Sequence, residues 1–459
     1  MNENLGTKVK REPKDPFPLG TSNAFYFQYF NTTSFSTIVG VPTILFFKEL
    51  GASATILGVV GSLAPFLIIL QIPASRHVEL VGYKRFVLSG WFLRTIFSFG
   101  LALAAFIPAI DNTTRMILAI FFLIGYNILR GISTCGFMPW MTQLIPEKVR
   151  GRFLATDQIT GSIASLVTTL LISWWLNHHS GSLGFACVFF YASIAGLMSL
   201  RFLKKIPDVP VPPDSRSTEP IPWKELLAFQ PFIKIITMNV IFFVAIAGGG
   251  LFWVPLVRDQ FHKDSSFVLN MAAVGAFFGI IIQFLASRLI DRAGSKPPLS
   301  FGILMAAFHF FLWSMLAAEV LPFNYWSLFF IQLTAGLSFP LFNLANTRLV
   351  MATVPVMARS HYFAVYSVAL NLTLGIFPWI WGIGVDYLQG WHQVSWNLWH
   401  WNAYSFFFLI VVSITIASWF LLLRIEEPKS MSTEEFIRQL LVKTPKRAIT
   451  RLLNRRISF

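Results

Sequence analysis

The chain has 459 residues, 55% of them hydrophobic and only 12% charged, with a net charge of +15. Soluble domains carry about 25% charged residues, so this composition excludes a water-soluble globule, which could not cover its surface with polar groups. In a soluble protein the positive balance would point to nucleic acid; here the position of the cations along the chain gives a better account, and no nucleic-acid partner is expected.

In chain order, residues 1–22 are polar and basic and read as a disordered cytoplasmic tail. They do not form a cleavable signal peptide, because the first apolar stretch is long enough to span and stay. Apolar runs of about 20 residues, enough for a helix to cross roughly 30 Å of hydrocarbon, then predict spans at 23–47, 54–74, 86–108, 116–139, 154–176, 183–203, 232–255, 267–287, 298–318, 325–347, 362–386 and 402–424. The runs are continuously apolar and do not alternate at period two, which selects helices over a barrel.

The segment 204–231 holds Pro207, Pro210, Pro212, Pro213, Pro220 and Pro222 and reads as a linker between two six-helix halves, 23–203 and 232–424. Within it, Trp223–Phe229 could form a short interfacial helix. Trp391, Trp396, Trp399 and Trp401 form an aromatic belt at headgroup level. In the last segment, 425–459, Phe436, Ile437, Leu440, Leu441, Ile449, Leu452, Leu453 and Ile457 alternate with Lys and Arg at helical spacing. This predicts a basic amphipathic helix on an anionic leaflet, with a disordered basic tail as the alternative.

With these spans, 30 of the 36 Lys and Arg lie on the side that holds the N-terminus, and 4 lie on the other side: Lys48, Arg115, Arg258 and Lys263. The positive-inside rule then puts both termini in the cytoplasm, which requires an even number of spans and supports twelve. The two cysteines, Cys135 and Cys187, sit inside apolar runs and suggest neither a disulfide framework nor a zinc site. No cofactor is expected. The spans lack clustered His/Asp ligands or a nucleophile–base pair, and no nucleotide-binding loop is present, which argues against an enzyme and an ATP-driven pump.

The strongest signal is a self-match. The segment from Gln71 to Lys84 returns 212 residues later as Gln283 to Lys296, with Gln, Ala, Ser, Arg, Gly and Lys identical. A weaker echo relates Pro146–Phe153 to Pro355–Tyr362 at an offset of 209, pairing Arg150 with Arg359 and Arg152 with His361. Such parallel repeats mark transporters whose halves rock about a central site. Ala74 and Ser75 would let helices approach closely. Gly82 and Gly294 would supply tight turns. Glu79 and Asp291, beside Arg76, Lys84, Arg288, Arg292 and Lys296, could form salt bridges in one conformer and break them in another, as a gate requires; the alternative is that these charges only set topology.

At these residues the chain resembles the major facilitator superfamily, whose loop between the second and third helices reads Gly-x-Leu-Ala-Asp-Arg-x-Gly-Arg-Lys. Glu79 and Asp291 occupy the acid position, Gly82 and Gly294 match the second Gly, and Lys84 and Lys296 match the terminal basic pair. Ser75 and Ser287 replace the first Gly, and Leu80 replaces an Arg that Arg292 keeps. The resemblance implies an all-α membrane fold of two pseudo-symmetric six-helix bundles. It also implies loops that stabilise one end state of alternating access, and spans one, four, seven and ten around the cavity.

Ionisable groups deep in lipid are costly and default to functional roles. Arg130, in span four one turn after Asn127, resembles the fourth-helix arginine of proton-coupled members, without the Gln-Gly context of that motif. It could bind an anionic group or aid proton transfer, or form a structural pair with Asp157. Arg94 in span three could snorkel or take a direct role. Further polar candidates are Asn31, Thr32, Thr33 and Ser34 in span one, Asn239 in span seven, Asn343 and Asn346 in span ten, and Asn371 and Thr373 in span eleven. Neutral amides suit hydroxylated solutes or helix–helix hydrogen bonds. Trp379 and Trp381 read as packing or belt residues, with stacking on a ring as the alternative, the Gly248–Gly250 run as a bend or close contact, and His309 as a bonded interior residue rather than a proton carrier. Apart from Asp157, no carboxylate sits well inside a predicted span, so coupling to H+ or Na+ and facilitated diffusion both stay open.

The expected function is a secondary transporter, monomeric and in a bacterial inner membrane, that moves a small sugar-like or anionic organic molecule by alternating access. The alternative is a non-transporting assembly factor or scaffold on the same fold, which should lack a polar cavity at the midplane.

Overall fold

The computed structural model describes residues 17–107, 109–210, 228–354, 359–390, 394–396, 399–426 and 434. Twelve helical spans are long and apolar enough to cross a membrane: Asn23–Glu49, Ala54–Ser75, Tyr83–Phe106, Asn112–Leu144, Arg152–His178, Gly181–Leu203, Gln230–Asp259, Ser265–Ala286, Lys296–Ala317, Tyr325–Thr353, Tyr362–Gln389 and Ala403–Leu423. They are numbered 1–12 below. The protein is a multi-pass integral membrane protein. Odd spans begin on the face that collects the Lys and Arg, here called the basic face, and even spans begin on the far face.

Local chemistry sets the interruptions. Span 1 breaks between Ile38 and Val41, where Gly40 is extended and Pro42 follows in the first turn of the next helix. Span 2 carries Pro65 and tightens to a 3-10 turn at Ile68–Leu70. Gly82 and Gly294 have φ of 85° and 86°, so both repeats of the loop turn through a backbone region that favours glycine.

The packing gives the repeat a geometric form. Span 1 packs on 6 as 7 does on 12; 3 on 4 as 9 on 10; 3 on 6 as 9 on 12; and 1 on 5 as 7 on 11. Between the halves, 2 lies along 11 and 5 against 8, partners that exchange under the same relation. This is the pairing expected of two six-helix bundles about a pseudo-twofold axis.

Several expectations change. Residues 17–22 are not a free tail: the Phe17 ring packs against Phe25 and Phe153 at 5.5 and 5.7 Å, and Thr21 is fully buried. A large aromatic ring next to the bundle is better buried than solvated. The start of the linker is also docked, with Ile206 buried and Trp140 Nε1 donating to Pro207 O at 3.0 Å. The tryptophan-rich loop contains a two-stranded antiparallel hairpin, Val394–Trp396 with Trp399–Trp401, where only a belt was expected. Trp391, most of Trp223–Phe229 and the amphipathic C-terminal segment beyond Glu434 lie outside the described residues.

Gly248 and Gly249 serve close contact within an unbroken helix. A Cβ on Gly248 would lie 2.8 Å from the Trp381 ring, and one on Gly249 2.3 Å from Phe310. Trp381 donates Nε1 to Val244 O at 2.8 Å and is a packing residue, whereas Trp379 is exposed.

Candidate functional site: a far-face seam and the cavity beneath it

The halves are joined at the far face. Lys48 Nζ meets Asp259 Oδ1 at 2.7 Å, and Arg258 Nη2 meets Glu49 Oε2 at 2.7 Å. The two pairs cross, each joining the end of span 1 to the end of span 7. Tyr404 OH donates to Asp259 Oδ2 at 2.8 Å and fixes that carboxylate. Asp386 of span 11 accepts the backbone N–H groups of Ala54 and Thr55 at 2.9 and 2.8 Å, capping the N-terminus of span 2 from the other half. Between spans 5 and 8, Ser173 Oγ reaches Ser266 O at 2.9 Å and Asn270 Oδ1 at 2.8 Å.

Glycines bring the backbones of spans 2 and 11 together. A Cβ on Gly58 would lie 2.2 Å from Pro378 O, one on Gly382 2.4 Å from Ala54 O, and one on Gly375 2.7 Å from Phe66 Cα. No side chain fits at these positions without separating the helices.

Toward the basic face the halves part around a cavity of about 830 Å³. Gln158, Ser162 and Ser165 of span 5 line one wall, Gln283 of span 8 another, and Asn343, Thr347 and Arg348 of span 10 a third, with Ile280, Phe339, Pro340 and Leu344 as apolar surface. Of the expected substrate residues, only Asn343 is in this lining. Spans 5 and 8 contribute beside span 10, where spans one, four, seven and ten were expected. The Gln158/Ser162/Ser165 stripe was legible as polar residues at i, i+4 and i+7 in an apolar run, but was not read as a wall.

The other amides bond locally. Asn239 Nδ2 donates to Ile235 O and Asn371 Nδ2 to Ser367 O, both at 2.9 Å. Asn239 also accepts from Tyr366 OH at 3.2 Å, and Asn346 Nδ2 donates to Tyr366 OH at 2.8 Å, which links spans 7, 10 and 11. Asn127 Nδ2 donates to Leu123 O, while its buried Oδ1 has no partner among the described residues.

In the N-terminal half, Asn31 Oδ1 accepts from Trp91 Nε1 at 3.1 Å and from Arg94 Nη2. Arg94 is 3% exposed, so it does not snorkel; its guanidinium lies 4.4 Å from the Trp91 ring centroid. Arg130 is half-buried, 4.7 Å from the Phe35 ring centroid, and donates to Ala64 O at 3.1 Å. Among the described residues neither arginine pairs with a carboxylate, and the Arg130–Asp157 pair weighed from sequence does not form.

Of the basic-face loop residues, the side chains of Arg76, Glu79, Arg288, Asp291, Arg292 and Arg359 lie outside the described residues. Lys296 Nζ donates to Leu423 O and Ile425 O at 3.2 and 2.7 Å, and Arg150 Nη2 to Thr142 O at 2.9 Å. Both hold a helix end within their own half. The side chains of Lys84 and Arg152 are also described and make no hydrogen bond to another described residue. His309 is bonded at both ring nitrogens, Nδ1 to Ile331 O at 3.0 Å and Nε2 from Trp313 Nε1 at 3.2 Å.

The fold is shared with solved transporters. A mutant of the nucleoside transporter NupG superposes with a TM-score of 0.69 at 12% identity, over 89% of this chain and 100% of that one. A POT family transporter in complex with a thioalcohol-conjugated peptide gives 0.68 at 12% identity, over 89% and 97%. A D-xylose-proton symporter gives 0.65 at 16% identity, over 90% and 98%. No curated protein matches the sequence. Residues 24–350 match the family model described as Major Facilitator Superfamily. That match, with the twelve spans and their twofold pairing, shows that the chain belongs to the major facilitator superfamily of membrane transporters.

Proposed function

We propose that the chain is a secondary transporter that moves a small, anionic and hydroxylated organic solute by alternating access, with the present conformation open to the basic face and closed at the far face. The observation that carries this reading is the polar cavity between the halves, sealed above by crossed ion pairs and close glycine contacts. A scaffold has no use for amide and hydroxyl groups facing a space of that size.

Arg130, which stands outside the lining of that cavity, is the group we assign to the anionic preference. A guanidinium in lipid without a carboxylate is costly, and an anionic group on the cargo would offset that cost. The amides and hydroxyls of Gln158, Ser162, Gln283 and Asn343 suit the cargo's hydroxyl groups. The basic face is cytoplasmic by the positive-inside rule, the membrane is a bacterial inner membrane, and the working unit is the monomer. Where H+ or Na+ drives transport, Asp157 is the group to couple it: it is half-buried in span 5, beside the cavity-lining Gln158, and bonded to no described residue. The basic-face loops, with Glu79 and Asp291 at their centre, stabilise the opposite end state.

The test is uptake into proteoliposomes of a labelled panel of sugars, sugar acids, carboxylates, phosphate esters and amino acids, with imposed pH and Na+ gradients. Saturable uptake of an anionic or hydroxylated member is expected. Absence of uptake of every member from either side, by protein shown to be folded, would overturn transport in favour of a scaffold.

A further inference from the structure

The central cavity does not end at the inter-half surface. A side chamber of about 300 Å³ runs into the C-terminal bundle between spans 7, 8 and 10 and reaches span 9. It shares Ala276, Gly279, Phe339 and Pro340 with the central cavity. That volume is at the small end of the range for organic ligands.

Its walls are flat and largely apolar. Gly250, Gly275 and Gly279 expose bare backbone, and Trp253, Trp313 and Phe339 present rings. Two of these glycines keep the chamber open: a Cβ on Gly250 would meet only Ile246 Cγ2 at 4.0 Å, and one on Gly279 only Pro340 Cγ at 3.4 Å. The floor is chemically satisfied, because Trp313 Nε1 and both nitrogens of His309 are bonded.

Gln332 is the exception. It is 6% exposed, lines the chamber, and its side chain makes no hydrogen bond to any described residue. Gly275 makes room for it: a Cβ there would fall 2.7 Å from Gln332 Oε1. The amide is reached from the chamber, so its partner is ordered water or a ligand held there. A primary amide offers an acceptor and a donor side by side, matched by a group with a donor beside an acceptor in one plane.

We propose that this chamber binds a planar ring carrying a lactam or carboxamide edge, with the ring between the glycine backbones and the aromatic side chains and the edge paired to Gln332. That the ring belongs to the cargo rests on the transport reading; the binding itself does not.

The experiment is thermal unfolding of the purified full-length protein, followed by tryptophan fluorescence, with uracil and nicotinamide as probes and cyclohexanol as a non-planar control. Uracil or nicotinamide should raise the melting temperature and cyclohexanol should not. Gln332→Leu, which removes no protein–protein bond, should weaken binding of the effective probe at least about tenfold, since a site built around a polar pair loses that much without it. Gly250→Leu, which fills open space, should abolish the shift while leaving the unliganded protein folded. No shift with either planar probe, or equal shifts in wild type and both variants, overturns the proposal. Gln332-dependent binding with no solute transported in proteoliposomes would keep the chamber and remove the transport reading alone.

Discussion

The two faces of this bundle are built by different means. At the far face five of the six even spans start on a side-chain cap: Ser53, Asp111, Asp264, Asn324 and Asn402 each accept a backbone N–H of their own first turn. Asp386 adds a cap across the halves, and two ion pairs cross the seam. At the basic face the described span starts at Ser22, Gly82, Pro146 and Phe229 have no side-chain cap, and glycine turns join spans 2–3 and 8–9. A capped end resists fraying by roughly 1 kcal/mol, and a glycine turn adds no such restraint. The far face is therefore pinned as a closed seam, while toward the basic face the halves stand apart around a cavity.

That contrast can be broken at the seam first. Gly58→Leu forces a branched side chain against Pro378 O where even a Cβ would sit at 2.2 Å. Overpacking of this kind costs about 1–3 kcal/mol, so initial uptake should fall more than tenfold, with far-face labelling of introduced cysteines increased. Wild-type uptake would show that the seam does not set the closed state. On the other face, Asp291→Asn should slow uptake strongly with the protein still in the membrane. Unchanged initial rates would end the gate reading of the repeated loop.

Arg130→Lys tests the proposed anionic preference, at a residue outside the cavity lining. Loss of the bidentate fork should reduce uptake of an anionic cargo about tenfold; wild-type transport of every solute in the panel would sink the assignment. The smallest effect should come from the ion pairs. Asp259→Asn removes one partner of a partly exposed pair, and such pairs contribute about 0–1 kcal/mol. The expected result is a change of at most about fivefold in the balance of the two open states, read from cysteine accessibility. Asp259→Lys combined with Lys48→Asp should restore that balance, and failure to do so would make the pair incidental.

The fold was legible because lipid demands long apolar runs and because the halves repeat; the repeat also predicted the positive-φ glycines, Gly82 and Gly294. The site was less legible. In a membrane helix both the lipid-facing and the cavity-facing sides can be apolar, so a sequence shows depth better than direction. Asn127, Asn239 and Asn371 drew notice as polar groups, yet each donates to a carbonyl of its own helix. Gln332 escaped notice because a lone amide in a Leu- and Phe-rich run looks like any other. The crossed ion pairs had a visible signal. Lys48-Glu49 and Arg258-Asp259 repeat cation then acid at an offset of 210, between the two offsets already found.

The far-face hairpin offers a practical handle. His400 N donates to Ala318 O at 3.1 Å, and Gln260 Nε2 and Asn402 Nδ2 both donate to Ala317 O, at 2.8 and 2.6 Å. The strand pair is thereby moored to the ends of spans 7, 9 and 12 together. An antibody fragment raised against that hairpin would grip the whole C-terminal half as one lever, and so serve as a rigid fiducial for imaging a particle otherwise hidden in detergent.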